Sequence, residues 1–200
     1  MTRLLLRGFD IRKGHLNLAR QTALVDVLRP ILKSAPLFRP TTSTGKQMSV
    51  RMTSAGALGW VSDKSGYRYQ AQHPKGMEWP DIPQDILTVW QDVTGVEKLP
   101  DCCLINYYGE GTRMGMHQDK DEADFSWPVV SISLGDDALF RIGNTTRGGK
   151  TESVWLNSGD VVVMGGPARL TYHGIDRIRF NSSRLLPKGG RINLTLRVAS

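Results

Sequence analysis

From residue 102 onward the chain is a succession of short apolar or β-branched runs, at 102–108, 128–134, 138–142, 153–157, 160–164, 169–175 and 191–198. Turn clusters such as Gly135-Asp136-Asp137, Gly148-Gly149 and Asn157-Ser158-Gly159 separate them. Strands this short and this frequent cannot each bury two faces alone, so they predict two packed antiparallel sheets, a sandwich or jelly roll. The first half reads differently. Residues 17–33 place Leu24, Val25, Leu28, Ile31 and Leu32 on one helical stripe, with Asn17 as N-cap and Pro30 expected to end or kink the helix. Residues 36–47 are rich in Pro, Thr, Ser and Gly and read as a mobile loop. A second helix starts at Pro83, turns Ile86, Leu87, Trp90 and Val93 inward and stops at Gly95. The expected class is α+β, mainly β, with the helices packed on one side.

Charge is unevenly distributed along the 200 residues, whose formal net charge is +7. Residues 1–40 carry eight Lys/Arg against two acids, residues 141–200 ten against three, and the middle hundred eight against fourteen. Basic ends around an acidic centre suit a protein that attracts a polyanion while keeping carboxylates for local chemistry. No run of about 18 apolar residues exists, which excludes a membrane-spanning helix, and the three leucines of "MTRLLLRGF" are too few for a secretory signal. The cytoplasm is the expected location. The only cysteines, Cys102 and Cys103, are adjacent in a predicted strand and point to opposite faces, so they read as buried apolar filler rather than a disulfide or metal pair.

The chemistry concentrates after the first predicted strand of the second half, in "CCLINYYGEGTRMGMHQDKDE". Its glycines are spaced one residue off the dinucleotide fingerprint and no amphipathic helix follows, so a nucleotide turn is excluded. A metal reading fits better. His117 and Asp119 are one residue apart, which in extended chain puts both side chains on the same side. Of the other histidines, His15 and His73 fall in polar surroundings and are expected to be exposed, whereas His173 ends a predicted strand. H-x-D followed about 55 residues later by His is the two-His-one-carboxylate pattern that leaves positions open on Fe(II). In the last strand, "RINLTLR", Arg191, Asn193, Thr195 and Arg197 share one face. A fixed guanidinium there could hold a carboxylate bidentately; a solvated polar face would look the same in sequence. Asn106 and Tyr108 share one face of the strand at 102–108.

The segments "LINYY…HQDKDE", "VSISLG", "GDVVVMGG", "RLTYHGI" and "RINLTLR" resemble the AlkB family of Fe(II)/2-oxoglutarate dioxygenases, bacterial members above all. Residues 48–69 resemble that family's nucleotide-recognition lid. The resemblance implies a double-stranded β-helix (jelly roll) built as one domain: an N-terminal extension with a helix (1–47), the lid (48–80), a helix (81–100) and the dioxygenase core (101–200). It implies Fe(II) held by His117, Asp119 and His173, and 2-oxoglutarate held by Arg191 with Asn106, Tyr108, Asn193 and Arg197. Trp60 and Tyr67 would line the base pocket with Tyr69 nearby among the substrate residues, Asp121 would address the base edge and Arg147 would contact substrate. The implied reaction consumes O₂ and oxidatively demethylates bases such as 1-methyladenine and 3-methylcytosine. Its partner is single- or double-stranded alkylated DNA, possibly RNA, with the protein expected to be monomeric. Two rival readings remain open at this point: the same oxygenase core acting on a protein, lipid or small molecule, and a non-catalytic module that detects damaged nucleic acid. The chain departs from the family at Met164, where bacterial members carry tryptophan, and matches it poorly over 143–152 and 176–190.

Overall fold

The computed structural model describes residues 2–200. In chain order the elements are β1 (Thr2–Leu6), β2 (Phe9–Lys13), α1 (Leu18–Ser34), β3 (Arg51–Ala55), β4 (Gly59–Asp63), β5 (Gly66–Gln70), α2 (Gln84–Thr94), β6 (Cys102–Tyr108), β7 (Met114–His117), β8 (Val129–Gly135), β9 (Asp137–Ile142), β10 (Glu152–Leu156), β11 (Val161–Met164), β12 (His173–Arg179) and β13 (Arg191–Arg197). A seven-stranded sheet has the order β1-β2-β11-β8-β13-β6-β3, a four-stranded sheet β10-β9-β12-β7, and β4-β5 form a separate hairpin.

Strand alternation decides what each face of the large sheet does. Val130, Ile132, Leu134, Cys103, Ile105, Leu194 and Leu196 point to one face, where Leu24, Leu28 and Ile31 of α1 and Ile86, Val89, Trp90 and Val93 of α2 cover them. Val129, Leu104, Tyr108 and Met164 point to the other, against Phe140, Ile142 and Ile175 of the small sheet. The expected jelly roll with helices on one side is therefore the observed architecture, and the open end of the space between the sheets becomes the site. Cys103 faces the helices and Cys102 the opposite way, both buried. Burial pushes the Cys102 thiol up to about 12, so both cysteines act as apolar packing.

Several boundaries differ from the sequence expectation. The first thirteen residues supply two strands, and β2 pairs with β11 in the large sheet, so the N-terminus helps build the core. Strand β7, MGMH, lies outside the expected runs; its Met114, Met116 and His117 line the site. The strand expected at 169–175 begins at His173, after a 3₁₀ turn at Gly166–Ala168. Pro30 lies inside α1 without ending it. The proline removes one N–H, yet Ile31, in the next turn, packs into the core and holds the helix to Ser34. Asn17 caps the helix as expected, its side chain accepting from Arg20 N.

Candidate metal centre and substrate pocket

His117 ends β7 and His173 begins β12, and the two are directly opposed in the β7–β12 ladder. A β-carbon on Gly174 would lie 2.7 Å from the Met114 carbonyl oxygen and 2.8 Å from that of Gly115, so only glycine lets β7 approach this closely. Asp119 follows two residues after His117. Nε2 of His117 lies 3.7 Å from Asp119 Oδ1, and Nε2 of His173 lies 3.8 Å from Oδ2. The three ligand atoms fall within 4.8 Å of one another. Each imidazole turns Nδ1 to a backbone carbonyl at 2.9 Å, Gly115 for His117 and Thr171 for His173. A proton held there leaves Nε2 with a lone pair directed at Asp119, as a metal ligand requires.

The electrostatics agree. Burial pushes His173 down to about 4, with His117 adding to the shift, so the imidazole is neutral at pH 7. Burial alone would raise Asp119, but Arg197 and the two imidazoles hold its carboxyl far below the usual range. Two imidazole nitrogens and one carboxylate in a half-open arrangement fit a divalent ion with positions left for exogenous ligands.

Behind these ligands, β13 and β6 pair so that Arg191 faces Tyr108 and Asn193 faces Asn106. Arg191 is fully buried, and its Nη2 donates to Ser133 Oγ at 3.0 Å and to Asn193 Oδ1 at 2.7 Å. Its Nε and Nη1 have no partner. A buried guanidinium with two donors unmatched costs free energy unless an anion completes it, and a carboxylate fits that fork. Burial pushes the group below its ordinary value, which an anionic ligand would reverse. Arg197 is already committed: its Nη2 donates to Asp119 Oδ1 at 2.8 Å.

One cavity of about 390 Å³ joins these groups to the β4–β5 hairpin. Trp60 and Tyr67 line it and stack at 5.5 Å between ring centroids, 16° from parallel. Trp60 Nε1 donates to Asp121 Oδ2 at 2.9 Å. Arg147 lines the same cavity from the exposed segment between β9 and β10. Of the expected substrate residues only Tyr69 stays out of the cavity wall: its hydroxyl donates at 2.6 Å to Glu122, which itself lines the cavity. Two expectations fail outright. His73 is buried between Phe38 and Trp79, with Nε2 against the Pro36 carbonyl, and His15 is half-buried.

The chain matches the family model described as the 2OG-Fe(II) oxygenase superfamily over residues 13–197. It belongs to that superfamily. Within this oxygenase family it is 52% identical over 193 residues to the alpha-ketoglutarate-dependent dioxygenase AlkB homolog of Caulobacter vibrioides, covering 96% of this chain and 88% of that protein. To the alpha-ketoglutarate-dependent dioxygenase AlkB of Escherichia coli it is 37% identical over 194 residues, 94% and 88% of the two chains. A shorter match, 42% over 112 residues, reaches the Arabidopsis thaliana protein named DNA N(6)-methyladenine demethylase ALKBH1C, covering half of this chain and 24% of that one. Among solved structures, that of OsALKBH1 superposes with a TM-score of 0.77 at 31% identity, covering 97% of this chain and 99% of the other. The oxygenase has Fe(II) and 2-oxoglutarate as its cofactor and cosubstrate, and the donor set above fits both.

Sequence reading missed the layer that supports the site. Glu122 is buried, accepting from Tyr69 and from Arg169 Nη2 at 2.9 Å, and lies 3.3 Å from Arg197 Nε. Arg169 Nη1 in turn donates to the Asp119 carbonyl at 2.5 Å. In sequence, Glu122 is one more acid of "DKDEAD" and Arg169 one more surface cation; nothing local marks either as buried.

Proposed function

We propose that this oxygenase removes N-alkyl groups from nucleobases such as 1-methyladenine and 3-methylcytosine in DNA, with RNA as a second substrate. The supporting observation is that one cavity carries the three metal ligands, the half-satisfied Arg191 and the Trp60–Asp121 pair. The relatives named as AlkB dioxygenases and as a DNA demethylase point the same way.

His117, Asp119 and His173 would hold Fe(II), and Arg191 would take the distal carboxylate of oxoglutarate, with Asn106, Tyr108 and Asn193 shaping its cradle. Arg197, tied to Asp119, would complete the cradle on the side nearer the metal ligands. Bound iron and oxoglutarate supply the activation of O₂, giving succinate and CO₂ as one oxygen atom passes to the alkyl carbon, which leaves as formaldehyde. The chain's own residues position the base. A base inside a duplex cannot reach this buried centre, so it must be flipped or single-stranded. Trp60 offers an aromatic face, which favours a cationic methylated base by a cation–π contribution. Asp121 keeps Oδ1 free to accept from an exocyclic amine while Oδ2 fixes the Trp60 ring.

The test is anaerobic reconstitution with Fe(II), followed by mass spectrometry of a 3-methylcytosine oligonucleotide with and without oxoglutarate in air. Oxoglutarate-dependent loss of one methyl group supports the reading. An untouched oligonucleotide, with oxoglutarate still consumed, would assign the core to another substrate class; no consumption at all would make the chain a binding module.

A further inference from the structure

Between the two ligands of the H-x-D pair stands Gln118, which borders the same cavity but is not one of the metal-ligating groups. Its amide nitrogen donates to the Leu170 carbonyl at 2.6 Å and to the Thr145 carbonyl at 3.1 Å. Leu170 is three residues before His173, and Thr145 is two before Arg147. The root of the 143–152 segment is held separately. Gly143 and Asn144 exchange backbone hydrogen bonds with Tyr172, and Arg7, from the β1–β2 turn, donates to the Gly143 carbonyl and to Asn144 Oδ1. Beyond Asn144 the segment is exposed. Within the segment the Asn144 amide donates to the Gly148 carbonyl at 2.8 Å, and the Gln118 amide is the tether that links the segment, two residues before Arg147, to the metal-ligand stretch. Arg147 itself lies over the Tyr172 ring at 5.8 Å and has no carboxylate partner among the described residues.

We propose that Gln118 is a positioning residue for the nucleic-acid substrate: it fixes the distance between the metal ligands and Arg147, a rim cation placed to take a backbone phosphate beside the target nucleotide. The inference rests on the nucleic-acid reading of the pocket. An unpaired, exposed guanidinium on a glycine-rich segment has many orientations, and holding it near one of them reduces the entropy lost when a phosphate binds. A primary amide suits the task because one nitrogen carries two protons, and here each meets a different carbonyl.

The test uses Gln118→Met, which keeps the side-chain length and removes both donors, in the iron-loaded full chain. Two hydrogen bonds at their usual worth correspond to an oligonucleotide KM raised about thirtyfold. The oxoglutarate KM and Fe(II) affinity should keep their native values, and amide exchange over 145–150 should accelerate. Arg147→Ala should raise the same KM, and the double variant should be no worse than Arg147→Ala alone. Additive effects would overturn the inference, since Gln118 would then act independently of Arg147. A parallel change in oxoglutarate KM or iron affinity would overturn it too, by assigning Gln118 to the metal centre. If the unsubstituted chain leaves the methylated oligonucleotide untouched, the nucleic-acid reading falls and this inference with it.

Discussion

His117 and His173 stand opposite each other in the β7–β12 ladder, ring centroids 4.6 Å apart, and their approach depends on the missing side chain at Gly174. Two of the three metal ligands are thereby set by sheet geometry, and the third, Asp119, comes from the loop that follows β7. Gly174→Ala places a methyl 2.7 Å from a backbone oxygen that cannot rotate away, so β7 must shift. The expected outcome is Fe(II) affinity lowered by an order of magnitude or more, as the ligands separate. Titration of Fe(II) under anaerobic conditions checks it; native affinity in a folded Gly174→Ala protein would mean that β7 relaxes without moving His117.

Arg191→Lys preserves charge but loses the planar fork whose Nε and Nη1 are unmatched in the buried cradle. The oxoglutarate KM should rise strongly while Fe(II) affinity and oligonucleotide binding change little. Arg191→Ala should be worse, by about 3–5 kcal/mol, since it leaves a buried carboxylate unpaired. An unchanged KM in Arg191→Lys would show that the cosubstrate carboxylate lies elsewhere.

Trp60→Ala should weaken binding of a methylated oligonucleotide by about 1–3 kcal/mol, the usual worth of a base–aromatic stack. It also frees Asp121 Oδ2, so Trp60→Phe, which keeps a face but loses the indole N–H, should fall between the two. Fluorescence anisotropy on the three proteins distinguishes stacking from the Asp121 contact. Equal losses for both variants would assign the effect to the hydrogen bond alone.

Glu122 carries the charge balance beneath the site. Glu122→Ala leaves Arg169 buried beside no carboxylate and Arg197 with Asp119 alone, and should lower unfolding stability by about 3–5 kcal/mol. Chemical denaturation measures this directly. A loss below 1 kcal/mol would mean that water replaces the carboxylate and that the network contributes little to folding.

What the sequence by itself determined is what local periodicity and motif spacing encode. Period-2 alternation in RINLTLR put Arg191 and Asn193 on one face, and the structure places that face inward. H-x-D specified two ligands because neighbours two apart in extended chain must point the same way. The α2 stripe was legible at Ile86, Trp90 and Val93, though Val89 rather than Leu87 packs into the core, and the helix ends at Gly95, whose φ of 64° is the left-handed stop that glycine supplies. Tertiary structure alone decided everything set by contacts between distant segments. His73 reads as a polar loop residue but is enclosed by Phe38 and Trp79, and Pro30 reads as a helix end or kink but α1 runs on to Ser34, with Ile31 packed in the core. Tyr69 shares a face of β5 with Tyr67, yet its hydroxyl reaches Glu122, a residue 53 positions away that no local pattern pairs with it. The physical reason is range: side-chain direction follows from φ and ψ over a few residues, whereas burial and charge pairing depend on which strands the fold brings together.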